Sequence, residues 1–219
     1  MHKPWLKLLL LLIFTTALPA ADVRELTWDD LIPEGMDFED PFTELSDYQL
    51  YGLSEIARAR EQQAAGKTLS GETMMRVAEV EAELKAEDVD IDGLLARRAE
   101  ITEKRSRRAQ AVNTDLDGEA VRMPGFLLPL EYTGKKVTEF LLVPWVGACI
   151  HTPPPPPNQI VHVKLAEGYE TSGGPFAPVW VNGVMRTESS SPELSLVDGS
   201  ANIATGYALQ ASGVEPYDP

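Results

Sequence analysis

Val121-Arg122-Met123-Pro124-Gly125-Phe126-Leu127-Leu128-Pro129-Leu130 and Val137-Thr138-Glu139-Phe140-Leu141-Leu142-Val143-Pro144-Trp145 are two apolar runs. Between them lie Glu131 and the segment Tyr132-Thr133-Gly134-Lys135-Lys136. Apolar, β-branched and aromatic runs bounded by a Gly-containing turn read as strands of a hairpin, with Gly134 supplying the turn. Residues 160–165, 178–186 and about 204–211 read as three more strands. Asn182-Gly183 marks either a tight turn or a bulge inside one strand. Five short strands in about 100 residues suggest a small closed or partly open barrel.

Upstream the grammar changes. Thirteen of the 17 prolines and 11 of the 16 glycines lie beyond residue 112, and no proline occurs between Phe42 and Met123. That earlier stretch is rich in Ala, Glu, Arg, Gln and Leu, all good helix formers. It reads as three helices: 47–65 stopped by Gly66, a second capped by Ser70 and running through 73–85, and a third capped by Asp92 and ending near 111. Arg97, Arg98, Lys104, Arg105, Arg107 and Arg108 complement the dipole of the third helix and answer acids upstream. Residues 22–47 carry ten acids and one base, interrupted by Leu26, Trp28, Leu31, Ile32, Met36, Phe38 and Phe42. The aromatic content favours an apolar strap laid on a neighbouring surface, beginning with a turn capped by Thr27, over a disordered acidic arm.

The first 20 residues read as a secretory signal. Lys3 and Lys7 precede the apolar run 8–14, and small or turn-forming residues lead to Leu18-Pro19-Ala20-Ala21. The run is far shorter than the ~20 apolar residues of a membrane span. The expected product is periplasmic, with no stable membrane insertion after cleavage. The whole chain carries −15; the 113–219 region holds five bases against twelve acids. That charge excludes nucleic acid as a partner.

Candidate chemistry gathers around Cys149-Ile150-His151-Thr152, the run Pro153, Pro154, Pro155, Pro156 and Pro157, then Asn158-Gln159. If 145–151 is extended, Trp145, Gly147, Cys149 and His151 share one face. The prolines would form a stiff polyproline turn that fixes this loop. Thiolate and imidazole are good zinc or copper ligands. Cys149 and His151 would form such a pair, with His162 and Glu139 as further ligands. A structural use of the same residues, a buried thiol and a hydrogen-bonded imidazole bracing the loop, is favoured over the metal reading because buried cysteines are common. A Cys149–His151 nucleophile, with Asn158 as orienting acceptor, is the enzymatic version, and most such pairs come from separate elements. The Asp88–Gly93 string, which starts like a calcium loop, has Ala99 where the twelfth-position Glu is required; Asn113–Gly118 puts Pro124 there. Both read as cap and turn.

Leu116-Asp117-Gly118, Pro124-Gly125-Phe126, Pro129-Leu130-Glu131, Thr138–Pro144 and Gly147-Ala148-Cys149-Ile150-His151 with its proline run resemble the exported bacterial domain of unknown function 3299. The resemblance covers roughly Trp28 to Pro216-Tyr217. It implies export and a periplasmic accessory role, since some members accompany transporters linked to zinc uptake; it implies no established reaction. The expectation is therefore an α+β protein. A signal peptide (1–20) precedes an acidic helical region (21–112) and a five-stranded barrel (113–219) like the oligonucleotide/oligosaccharide-binding (OB) fold. Its expected function is non-enzymatic, as a transport or envelope accessory with zinc as the candidate cofactor and an envelope or transporter protein as partner. The rival is a structural interaction module docking through Pro153–Pro157, Asn158 and Gln159.

Overall fold

A computed structural model describes residues 23–149, 152, 154–171, 174–196 and 199–218. The expected signal lies outside the described residues. Strand β1 (Arg24–Glu25) opens the strap, and helices α1 (Asp47–Ala64), α2 (Gly71–Ala86) and α3 (Ile91–Gln110) follow. Then come β2 (Ala120–Thr133), β3 (Lys136–Val143), β4 (Val161–Tyr169), β5 (Ala177–Arg186), the short β6 (Glu193–Leu196) and β7 (Gly199–Asn202), and β8 (Tyr207–Pro216).

Local chemistry sets the helix starts. Ser46 makes a full capping box with Gln49, and Ser70 accepts from the Thr73 amide at 3.1 Å. The third cap is Asp90, not the expected Asp92. Asp90 accepts from the Gly93 amide at 3.0 Å. Asp92 lies in the first turn and reaches back to Arg60 of α1 at 2.6 Å. Thr27 does not cap its turn either; its amide and hydroxyl both donate to Asp30. Leu53, Ile56, Val80, Leu84 and Ile91 form the helices' own core. The basic face of α3 pairs with the acidic arm, Arg105 with Asp40 at 2.6 Å and Arg108 with Asp37 at 3.4 Å. The Arg105 guanidinium, with the Phe42 amide, holds the Asp40 carboxyl below the usual carboxylate range.

Strands β2-β3-β4-β8-β5 run in that order, and β5 pairs back to β2, closing a five-stranded barrel. All neighbours are antiparallel except β4 with β8, which is the OB arrangement. Gly134, at φ +64°, turns the first hairpin. At Asn182-Gly183 strand β5 continues without a turn, and the β5–β8 register slips because one extra residue, Ser212, lies on β8 opposite this dipeptide, so the bulge belongs to the partner strand. A Cβ on Gly183 would come within 2.4 Å of the Gln210 carbonyl, so this crossing needs glycine.

Alternation gives the barrel wall two apolar faces. Inward go Val121, Met123, Leu127, Phe140, Leu142, Val161, Val163, Val179, Val181 and Leu209. Leu26 and Leu31 of the strap complete this core, with Trp28 packed against it. The strap is thus an ordered plug: β1 runs parallel to β2, and the Tyr207 hydroxyl donates to the Leu31 carbonyl at 2.6 Å. Outward go Leu128, Leu141 and Val143, which form a second core with Ala148, Ile160, Leu194 and Ile203. The last two belong to the β6–β7 region, a hairpin that the sequence reading did not contain.

Candidate functional site

The β3–β4 connection carries most of the candidate residues. Pro144 cannot donate to a ladder, and β3 ends at Val143. Over the described residues 145–149 the expected extended run does not form. Gly147 and Cys149 have φ of +84° and +66°, and Thr152 closes the loop by donating its amide to the Gly147 carbonyl at 3.3 Å. Ile150, His151 and Pro153 lie outside the described residues, so the Cys149–His151 pairing does too. Cys149 packs half-buried against the outer core, and burial pushes its thiol up to about 11. A metal ion there would have to displace a tightly held proton.

Beyond the loop the chain turns inward. Pro156 adopts φ −53°, ψ 149°, close to polyproline geometry, and a 3-10 turn spans Pro157–Gln159. Asn158 is buried, and its Nδ2 donates at 2.7 Å to both the Arg108 and Ala111 carbonyls. It thereby satisfies carbonyls at the end of α3 that the helix leaves unpaired. Gln159 Nε2 donates to the Trp28 carbonyl at 3.0 Å. This pair thus fastens the barrel to α3 and to the strap. At the other end of the loop, Trp145 and Val146 remain 44% and 62% exposed.

His162 and Glu139 do meet. Their register on adjoining strands brings Glu139 Oε1 to 2.6 Å from His162 Nε2. His162 Nδ1 lies 2.9 Å from Ser190 Oγ, which is 2.8 Å from Thr205 Oγ1. In the neutral ring Nε2–H donates to the carboxylate, Ser190 donates to Nδ1, and Thr205 donates to Ser190. The imidazole is 7% exposed and Glu139 22%, with Lys164 Nζ 4.0 Å from the same carboxylate oxygen. The contacts follow the order of a serine–histidine–carboxylate relay and join the barrel wall to the stem of the β6–β7 hairpin. Both ring nitrogens are occupied, so a metal ion would have to break one of these bonds. Among the described residues, no group of three or more His, Cys, Asp and Glu is placed to hold an ion.

Ser190 and Thr205 are the members that the sequence reading missed. Their signal was the alternation through Glu193-Leu194-Ser195-Leu196 followed by the turn-favouring residues Asp198 and Gly199.

Fold and site together define an α+β protein on an OB-like barrel whose outer face is covered by its own hairpin. The chain belongs to the family of proteins of unknown function DUF3299, whose model matches residues 28–216. It is similar to a DUF3299 family protein from Pseudomonas aeruginosa PAO1 of known crystal structure. That protein shares 32% identity at a TM-score of 0.50, with 91% of this chain and 99% of that chain covered. No curated protein matches. Among the described residues, no helix is long and apolar enough to cross a membrane.

Proposed function

We propose that the chain is an exported, non-enzymatic accessory protein that acts by docking, in the service of a transport or envelope system handling zinc. One contrast supports this reading. The polar side chains flanking the β3–β4 loop are spent on internal bonds, Asn158 and Gln159 on backbone carbonyls and His162 on Glu139 and Ser190. The large apolar side chains of the loop, Trp145 and Val146, face solvent. Such a loop offers a surface rather than a reactive centre, and its far end is anchored on α3 and the strap through Asn158 and Gln159.

The test is complementation of a deletion strain under zinc limitation. Wild type should restore growth, and a Trp145→Ala/Val146→Ser double variant that folds normally should not. Full complementation by that variant would refute docking through the loop. Zinc measured by mass spectrometry on the purified mature protein, on Cys149→Ser and on His151→Ala separates a metal carrier from an adaptor. Stoichiometric zinc that disappears in both variants would establish the carrier.

A further inference from the structure

Barrels of this topology take ligands across the outer face of their second and third strands, beside the loop that joins the last two. In this chain those strands are β3 and β4, and the joining segment, 187–206, carries β6 and β7. The segment lies over the outer face formed by β2, β3 and the start of β4, and Leu194 and Ile203 insert among Leu128, Leu141, Val143 and Ile160. We infer that the β6–β7 hairpin is a displaceable cover and that the face beneath it docks a partner polypeptide segment bearing two aliphatic side chains spaced like Leu194 and Ile203.

Three observations carry this. First, the hairpin's ladder is its own: β6 and β7 form a separate two-stranded sheet, and among the described residues no strand pairing joins it to the barrel. Lifting it breaks no sheet. Second, among the described residues its hold on the barrel is local, the two aliphatic anchors and the chain Glu139–His162–Ser190–Thr205 at its stem. The stem closes on itself through Ser190 and Thr205, whose amides donate to each other's carbonyls at 3.2 and 2.9 Å. Third, the face is far more apolar than a solvated strand surface. Leu128, Leu141, Val143 and Ile160 are all buried there, with Phe126, Leu130 and Phe176 around them. A patch of that kind marks a docking face whenever it is uncovered. The hairpin defines the shape of the occupant because it fills the site in its absence, so a displacing segment must present the same two aliphatic groups. The inference rests on reading the chain as a docking protein. Ala148 and Cys149 of the exposed loop pack into this same outer core, which places the loop beside the cover.

The experiment is hydrogen exchange on the full mature chain. Peptides spanning 190–205 should exchange at least tenfold faster than β3 and β4 under native conditions. Ser190→Ala should accelerate the hairpin by on the order of tenfold while leaving β3 and β4 unchanged. A hairpin that exchanges only at the rate of the barrel opens only with the whole molecule, and the cover idea falls. A second arm uses a synthetic peptide of residues 190–205 against a Leu194→Ser/Ile203→Ser chain, whose own hairpin is poorly seated. The peptide should bind by fluorescence anisotropy, and the same peptide carrying both serines should not. No difference between the peptides overturns the docking face. Neither readout involves Trp145 or Val146, so failure here is distinct from failure of the complementation test.

Discussion

The barrel is closed by two short segments that differ in how they are held. The strap, residues 23–33, enters through a ladder pairing with β2 and sinks Leu26 and Leu31 into the inner core. Its carbonyls are taken up by side chains from distant elements: Leu31 by Tyr207, Asp30 by Asn113 and Trp28 by Gln159. Among the described residues, the hairpin closes the outer face without pairing to the barrel sheet, through two aliphatic anchors and one polar chain. The lesson is that similar apolar burial gives different cooperativity. A segment that shares both ladder and core unfolds with the domain, whereas one that shares only a side-chain contact can open by itself.

Leu31→Ala should have the largest effect. The side chain is fully buried in the inner core, and large-to-small changes there cost about 2–5 kcal/mol. Global thermal unfolding should shift accordingly, and a loss confined to the strap would erase the distinction between the two covers. Tyr207→Phe should follow. Its hydroxyl donates to the Leu31 carbonyl and accepts from the Asn113 amide, both at 2.6 Å. Removing it leaves the buried Leu31 carbonyl and the half-buried Asn113 amide unpaired, at roughly 1–3 kcal/mol for the first and less for the second. Chemical denaturation should show a lower midpoint with an unchanged slope.

Asn158→Ala should cost less, about 1–2 kcal/mol, because water can reach part of the freed end of α3. The loss should be global, since Asn158 joins α3 to the barrel. Ser190→Ala should cost the whole molecule under about 1 kcal/mol while loosening the hairpin. Equal global losses from these two variants would mean that both segments belong to one cooperative unit.

How far these features were legible in the sequence follows from the range of the interactions. Ser70 acts within three residues, and the strands announce themselves by alternation, so helices and barrel could be read directly. Asp90 and Asp92 were confused because both stand beside the helix start, and only the distant Arg60 separates their roles. The extended reading of 145–151 failed at Pro144, whose missing amide stops the ladder. The strap could be recognised as apolar, but its partner strand could not, because a parallel pairing across about 97 residues leaves no local mark. The contact of Glu139 with His162 follows from the β3–β4 register, which alternation alone does not fix across a proline turn. Ser190 and Thr205 required the hairpin first, and their alternating pattern is short and polar.

The smallest effect on stability, and the sharpest comparison, comes from Cys149. Its thiol lies against the outer core, beside the hairpin rather than the strap, and burial raises it from an ordinary 9.0 to about 11. The folded state therefore keeps the proton where the unfolded chain would lose it. No stability is lost on this account below pH 9, and the loss grows as pH rises from about 9 towards 11. At pH 8 the buried thiol then holds about one hundredth of the thiolate of an ordinary cysteine, so iodoacetamide should react about 100-fold more slowly than with the unfolded chain. If the hairpin shields the thiol, Ser190→Ala should raise that rate and Leu31→Ala, under conditions where the variant remains folded, should not. Equal acceleration by the two variants would show that the thiol reports global opening, and the separation between strap and hairpin would fail.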